Sequence, residues 1–170
     1  MLKEIIERRS CRNFDVDRMV EDEKINKVVE AGLLAPSGMN RQDSIIIVIR
    51  DKETRDRLVK LNASILSRDS DTFYGAPVIL IVANKKTPLA KYDGALVMEN
   101  MMLEATHLGL GNIWIHRAKE EFELEEMKDI LESVPINIDE YEGVGHLGLG
   151  YSLVDKYPTK EIKPNRVFKI

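Results

Sequence analysis

Pro77-Val78-Ile79-Leu80-Ile81-Val82-Ala83 decides the fold class. It is an uninterrupted apolar run, rich in β-branched side chains, which reads as a strand buried on both faces. Ser44-Ile45-Ile46-Ile47-Val48-Ile49-Arg50 reads the same way. A strand with two buried faces needs helices above and below it. Helical stretches stand on either side. Leu2–Arg8 is a short one. A second begins at Glu21 or Asp22, where Ile25, Val28, Val29, Leu33 and Leu34 recur at helical spacing until Pro36 ends it. Asp51 to about Leu66 is a third, with Asp51 as its cap and Leu58, Leu61 and Ile65 as its apolar stripe. Lys91–Leu108 is apolar almost all round and reads as a central helix, stopped by Gly109–Gly111. Ile113–Ile115 and Glu142–Leu149 read as strands, and Glu123–Glu132 as an amphipathic helix. Ser67–Gly75 is a polar, irregular loop. The expected fold is α+β: a three-layer α/β/α sandwich in one domain over residues 1–170, with 151–170 a polar C-terminal extension suited to docking on a partner subunit.

The 170 residues suffice for one domain with a sizeable core. A net charge of −4 argues against a general nucleic-acid binder. No apolar run approaches the ~20 residues of a membrane span. The N-terminus has no apolar signal core, and the single cysteine, Cys11, fits a reducing compartment. The expectation is a cytoplasmic protein without nucleic-acid or membrane partners. His107, His116 and His146 show no metal-ligand spacing, so no metal is assigned.

On this acidic background, Arg8-Arg9-Ser10-Cys11-Arg12-Asn13-Phe14 is a concentrated basic patch. In extended chain, Arg8, Ser10 and Arg12 share a face. Two guanidinium forks and a hydroxyl match a phosphate dianion or a carboxylate cluster. Cys11 points the other way and reads as an inert, buried side chain. A second stretch, Ala35-Pro36-Ser37-Gly38-Met39-Asn40-Arg41-Gln42, places two carboxamides and a hydroxyl just before a buried strand. Carboxamides both donate and accept, as the pyrimidine edge of a flavin requires. Gly109-Leu110-Gly111 follows a helix and precedes a strand, the reverse of the order in a dinucleotide-binding turn, so that reading is rejected. Lys156, Lys160, Lys163 and Arg166 add cations in the tail.

Taken in order, these pieces resemble the nitroreductase family of FMN-dependent oxidoreductases. Arg-Arg-Ser-Cys-Arg-Asn-Phe is similar to its N-terminal phosphate motif, and Ala-Pro-Ser-Gly-Met-Asn-Arg-Gln to its flavin-edge loop. Asp93–Ala105 with Gly109-Leu110-Gly111 and Trp114 resembles its central helix and following strand. Leu147-Gly148-Leu149-Gly150-Tyr151, trailed by Lys163 and Arg166, resembles its closing strand and phosphate-binding tail. The chain departs from the family pattern where Gln42 is followed by Asp43-Ser44 instead of Pro-Trp, and where Glu99-Asn100 replaces Gln-Asn. It is also short for the family.

The resemblance implies a mixed, largely antiparallel sheet flanked by helices, and FMN at a homodimer interface. Arg8, Ser10 and Arg12 would hold the phosphate, with Arg9 contributing and Lys163 and Arg166 closing the clamp. Pro36, Ser37, Asn40 and Gln42 would line the ring, and the backbone at Trp114, Ile115 and His116 would approach its N5 or O4 region. NADH or NADPH would be the reductant and a small organic molecule, such as a nitroaromatic or a quinone, the electron acceptor. Hydride transfer needs no side-chain acid or base, so no catalytic residue is expected. A flavin store without turnover, and a dehalogenase-like or flavin-fragmenting member of the family, are the alternative readings. A module without flavin, whose arginines bind another anion, is a third.

Overall fold

Val78–Lys85 (β2) is an inner strand of the sheet, and its two faces feed two separate cores. The computed structural model describes residues 1–158 and 160–170. Val78, Leu80 and Val82 face one layer; Ile79, Ile81 and Ala83 face the other, and all six are fully buried. The first layer holds α2 (Asp22–Leu33) and α4 (Ala90–His107), which pack on each other. The second holds α3 (Lys52–Ile65), α5 (Ala118–Glu121) and α6 (Glu125–Ile130). The three-layer sandwich is therefore as expected, with Met98, Met101 and Met102 filling the first core.

The four-stranded sheet runs β1-β2-β4-β3, every pair antiparallel, with β1 at Ser44–Ile49, β3 at Gly111–Ile115 and β4 at Tyr141–Gly150. This corrects the reading of Ser44–Arg50. β1 is an edge strand, half-buried along most of its length, because its apolar run has a partner strand on one side only. The helix expected at Glu123–Glu132 is present but shorter, as α6, and a further short helix, α5, precedes it. α5 ends at Glu121 and α6 begins at Glu125, with Leu124 extended between them. Opposite the Val82–Ala83 step, β4 carries one extra residue, Val144. Such a bulge bends the strand, and Val144 uses it to pack against Gly94 of α4.

The basic N-terminal segment lies along the free edge of the sheet. Ser10 forms a parallel bridge with Asn112 of β3, the Cys11 N–H donates to the Asn112 carbonyl at 2.9 Å, and Phe14 bridges Ser152. Cys11 and Phe14 are buried against this edge, so Arg12 is turned outward. The first part of the tail is pinned as well. Leu153 N–H donates to the Asn13 carbonyl, Tyr157 and Ser152 hydroxyls meet at 2.9 Å, and Arg9 donates to the Pro158 carbonyl at 3.1 Å. Burial, with a hydrogen bond to Cys11, pushes the Tyr157 phenol above its usual range.

Helix α1 (Lys3–Glu7) buries none of its residues, so its anchorage is polar. Glu4 meets His107 of α4 at 2.9 Å. That hydrogen bond, reinforced by the Glu104 charge, raises the His107 imidazole; the same bond holds the Glu4 carboxyl below its usual range. The His107 contribution is complete below the unfolded histidine value and is lost as pH rises through the folded one. The Glu4 contribution is present above the unfolded glutamate value and is lost as pH falls through the folded one. Amide protection in α1 should therefore peak between the ordinary glutamate and histidine ranges. His107→Gln should flatten the alkaline side of that profile in a hydrogen-exchange series; an unchanged profile would refute the assignment.

Candidate active site

Beside the free edge of β3 lies a cleft of about 320 Å³ with three walls. Arg12 forms one, the strand end Ile113–Arg117 the second, and residues from Leu66 to Tyr74 the third. The pairing of the N-terminal segment with β3 puts Arg12 there, since Cys11 is locked inward and its neighbour must face out. Arg12 also stands over the Tyr74 ring, 5.9 Å from its centroid. Beyond Arg12 the cleft has two more guanidiniums, Arg68 and Arg117, so its wall is cationic on a net acidic chain.

The third wall is ordered by charge. Asp71 accepts from the N–H groups of Phe73 and Gly75 at 2.7 and 3.1 Å and from Arg55 at 2.5 Å. Arg55 in turn donates to the Ala76 carbonyl at 2.8 Å. The polar loop expected at Ser67–Gly75 therefore carries a tied turn over its second half.

Two cleft residues that are not glycine sit at positive φ, Tyr74 at 56° and Arg117 at 87°. Such backbone is uncommon and collects at functional sites. Two polar atoms of the walls, Asn62 Oδ1 and Thr72 Oγ1, are buried without a hydrogen-bond partner among the described residues.

Of the residues expected from the sequence, Arg12, Trp114, Ile115 and His116 are brought together on the cleft. Arg8 and Ser10 stand on the same N-terminal segment, half-buried, outside its walls. Arg9 is committed to backbone: besides Pro158, its guanidinium donates to the Ile6 and Arg8 carbonyls at 2.7 Å each. Lys163 and Arg166 are exposed in the tail and do not line the cleft.

The loop with Pro36, Ser37, Asn40 and Gln42 is elsewhere. Gly38 N–H donates to Asp93 Oδ1 at 3.0 Å, so the loop docks on the start of α4. Met39, Asn40 and Gln42 all have φ between 53° and 55°, and the Ser37 hydroxyl accepts from the Gln42 N–H at 3.0 Å. Pro36, Asn40 and Gln42 are exposed.

Asn62, Arg68, Thr72, Tyr74 and Arg117 were not anticipated. Asn62 had a signal: it lies one turn after Leu58 on the apolar stripe of α3, where a polar side chain needs a reason. The others come from loops without a local signature.

Comparison with known proteins bears on the family and the fold. The family model described as "Nitroreductase family" matches residues 5–70 and 63–151, leaving most of the tail outside. A candidate NADH dehydrogenase/NAD(P)H nitroreductase of Archaeoglobus fulgidus is 32% identical over 162 residues, covering 91% of this chain and 87% of the relative. Among solved structures, an FMN-bound nitroreductase from Bacteroides fragilis superimposes with a TM-score of 0.86 at 25% identity, over 96% of this chain and 94% of that one. An FMN-bound nitroreductase from Desulfitobacterium hafniense gives 0.84 at 26% identity, with both chains fully covered. The sequence motifs, the antiparallel sheet between two helical layers and these matches converge: the chain belongs to the nitroreductase family.

Proposed function

We propose that this protein is an FMN-dependent oxidoreductase that uses NADH or NADPH to reduce a small organic acceptor, a nitroaromatic, a quinone or a similar compound, in a ping-pong cycle. The observation that carries this is a cleft on which Arg12 and the strand end closing at Arg117, itself at positive φ, converge, in a chain of this family. The residues fit the cofactor. Arg12 with Arg68 and Arg117 suits a phosphate-bearing anion, and the orphaned Asn62 Oδ1 and Thr72 Oγ1 are atoms of the kind that a bound polar ligand satisfies. When bound, FMN would accept and return hydride at N5, and the protein's contribution is position and field.

Arg12, with Ser10 and Arg8 next to it, would hold the phosphate. Arg68 and Arg117 make the cleft favourable to the negative charge that reduction adds. The backbone of Trp114–His116 would form the floor beneath the ring.

Pro36, Ser37, Asn40 and Gln42 lie outside the cleft of their own chain, and we infer that a homodimer brings them to the partner's. Leu89, Tyr92 and Leu96, beside the loop at the start of α4, are 36%, 59% and 44% exposed, and so large an apolar row needs a cover. The exposed tail beyond Lys160 would pack on that partner, bringing Lys163 and Arg166 with it.

Rapid mixing of the FMN-loaded protein with NADH and with NADPH tests the function. The flavin band should bleach anaerobically with one of them and return on addition of a quinone or nitroaromatic. An FMN-loaded protein that neither nucleotide bleaches would sink the reductase reading. Sedimentation as a monomer with FMN bound would overturn the shared site.

A further inference from the structure

Under the cleft lies a sealed polar chain that hydride transfer does not use. Asn62 of α3, Glu121 of α5 and His146 of β4 are 1%, 0% and 0% exposed. Asn62 Nδ2 donates to the His116 carbonyl at 2.9 Å and to Glu121 Oε1 at 2.6 Å; Glu121 Oε2 meets His146 Nε2 at 2.7 Å. Both partners of the Asn62 amide are acceptors, so its nitrogen must face them. His146 pairs with Ile81 on one side and Ile115 on the other, and the Phe73 ring meets it edge-on at 5.3 Å. One end of the chain is thus fixed in the middle of the sheet. The other end grips the carbonyl that precedes Arg117.

We propose that Asn62, Glu121 and His146 are positioning residues that hold the His116–Arg117 turn in the strained shape facing the bound flavin. Arg117 has φ of 87° without being glycine, and such backbone persists only where its surroundings over-determine it. The surroundings here do so on both sides of the residue. Asn62 holds the His116 carbonyl before it, and the Glu121 N–H donates to the Arg117 carbonyl at 3.0 Å after it. The Arg117 side chain is itself tethered to Glu120 at 2.7 Å. Burying a carboxylate and an imidazole to gain stability alone is inefficient, because apolar side chains of similar volume do as well. Their arrangement in a line that ends, through Asn62, on one carbonyl points to geometry as their use. The functional half of this inference rests on the flavin reading; the structural half does not.

The test is a cycle of Asn62→Ala and Arg117→Gly, singly and together. Glycine adopts this φ without strain, so it removes the need for the clasp. Asn62→Ala should weaken FMN binding at least tenfold. It should also alter the relative affinity for oxidised and reduced FMN by about tenfold, read as a midpoint shift of ~30 mV for a two-electron couple. In the Arg117→Gly background the Asn62→Ala loss of affinity should shrink at least threefold. In the apoprotein, exchange protection of the Glu121 amide should fall with Asn62→Ala and show the same rescue. Equal losses in both backgrounds, or a lower melting temperature with affinity and potential unchanged, would overturn the proposal. If the wild-type protein takes up no FMN, the flavin reading falls, and the apoprotein exchange cycle alone decides the positioning role. Should Asn62→Ala not fold, Asn62→Ser gives the same reading, since its hydroxyl is too short to span both acceptors.

Discussion

Arg12→Ala is expected to weaken FMN binding by ~1.5–3 kcal/mol, the range for a lost hydrogen bond to a charged group. That corresponds to roughly a 10- to 150-fold rise in Kd, measurable by titrating the quenching of flavin fluorescence. Arg12 is the one residue of the N-terminal basic patch that stands in the cleft wall, and its guanidinium stands over the Tyr74 ring. Arg9→Ala is the informative contrast. Its guanidinium closes the end of α1 and holds the Pro158 carbonyl, so its replacement should lower the melting temperature before it lowers affinity. An unchanged Kd for Arg12→Ala would move the phosphate away from this wall.

Gly143→Ala should be the most damaging small substitution in the sheet. A methyl group there would overlap the carbonyl carbon and oxygen of Ala118, which are backbone and have no rotamer to yield. Overpacking of this kind costs about 1–3 kcal/mol, and a backbone clash belongs at the upper end. For a chain of this size the melting temperature should fall by roughly 5–10 °C. FMN affinity should fall with it, since Ala118 follows Arg117 directly and any shift of α5 moves the cleft. A calorimetric scan with an unaltered transition would show that β4 and α5 are not in the close contact described.

The layers were legible because burial on two faces leaves a continuous apolar run, and Val78–Ala83 has one. The same rule misjudged Ser44–Ile49. An edge strand of this composition cannot be told from a central one until its pairing is known, and an apolar strand edge is what a partner surface also looks like. Arg12 and Trp114–His116, which the fold brings to one cleft, could be singled out in the sequence because they sit on segments with a local pattern. Asn62, Glu121 and His146 were not, since each is a single polar residue in a different element, and only folding puts them in line. The loop at Pro36–Gln42 was expected beside the basic patch and lies outside the cleft of its own chain, because sequence order says nothing about which cleft a loop serves.

The clasp of Arg9 on Pro158 sets a leash. While it holds, the segment Lys160–Ile170 works from a fixed tether point beside α1. Fully extended at up to 3.6 Å per residue, the chain from Pro158 carries Lys163 at most about 18 Å and Arg166 at most about 29 Å from that point. Whatever Lys163 and Arg166 attend to is bounded by those radii, and the basic patch that begins the chain decides where their centre is.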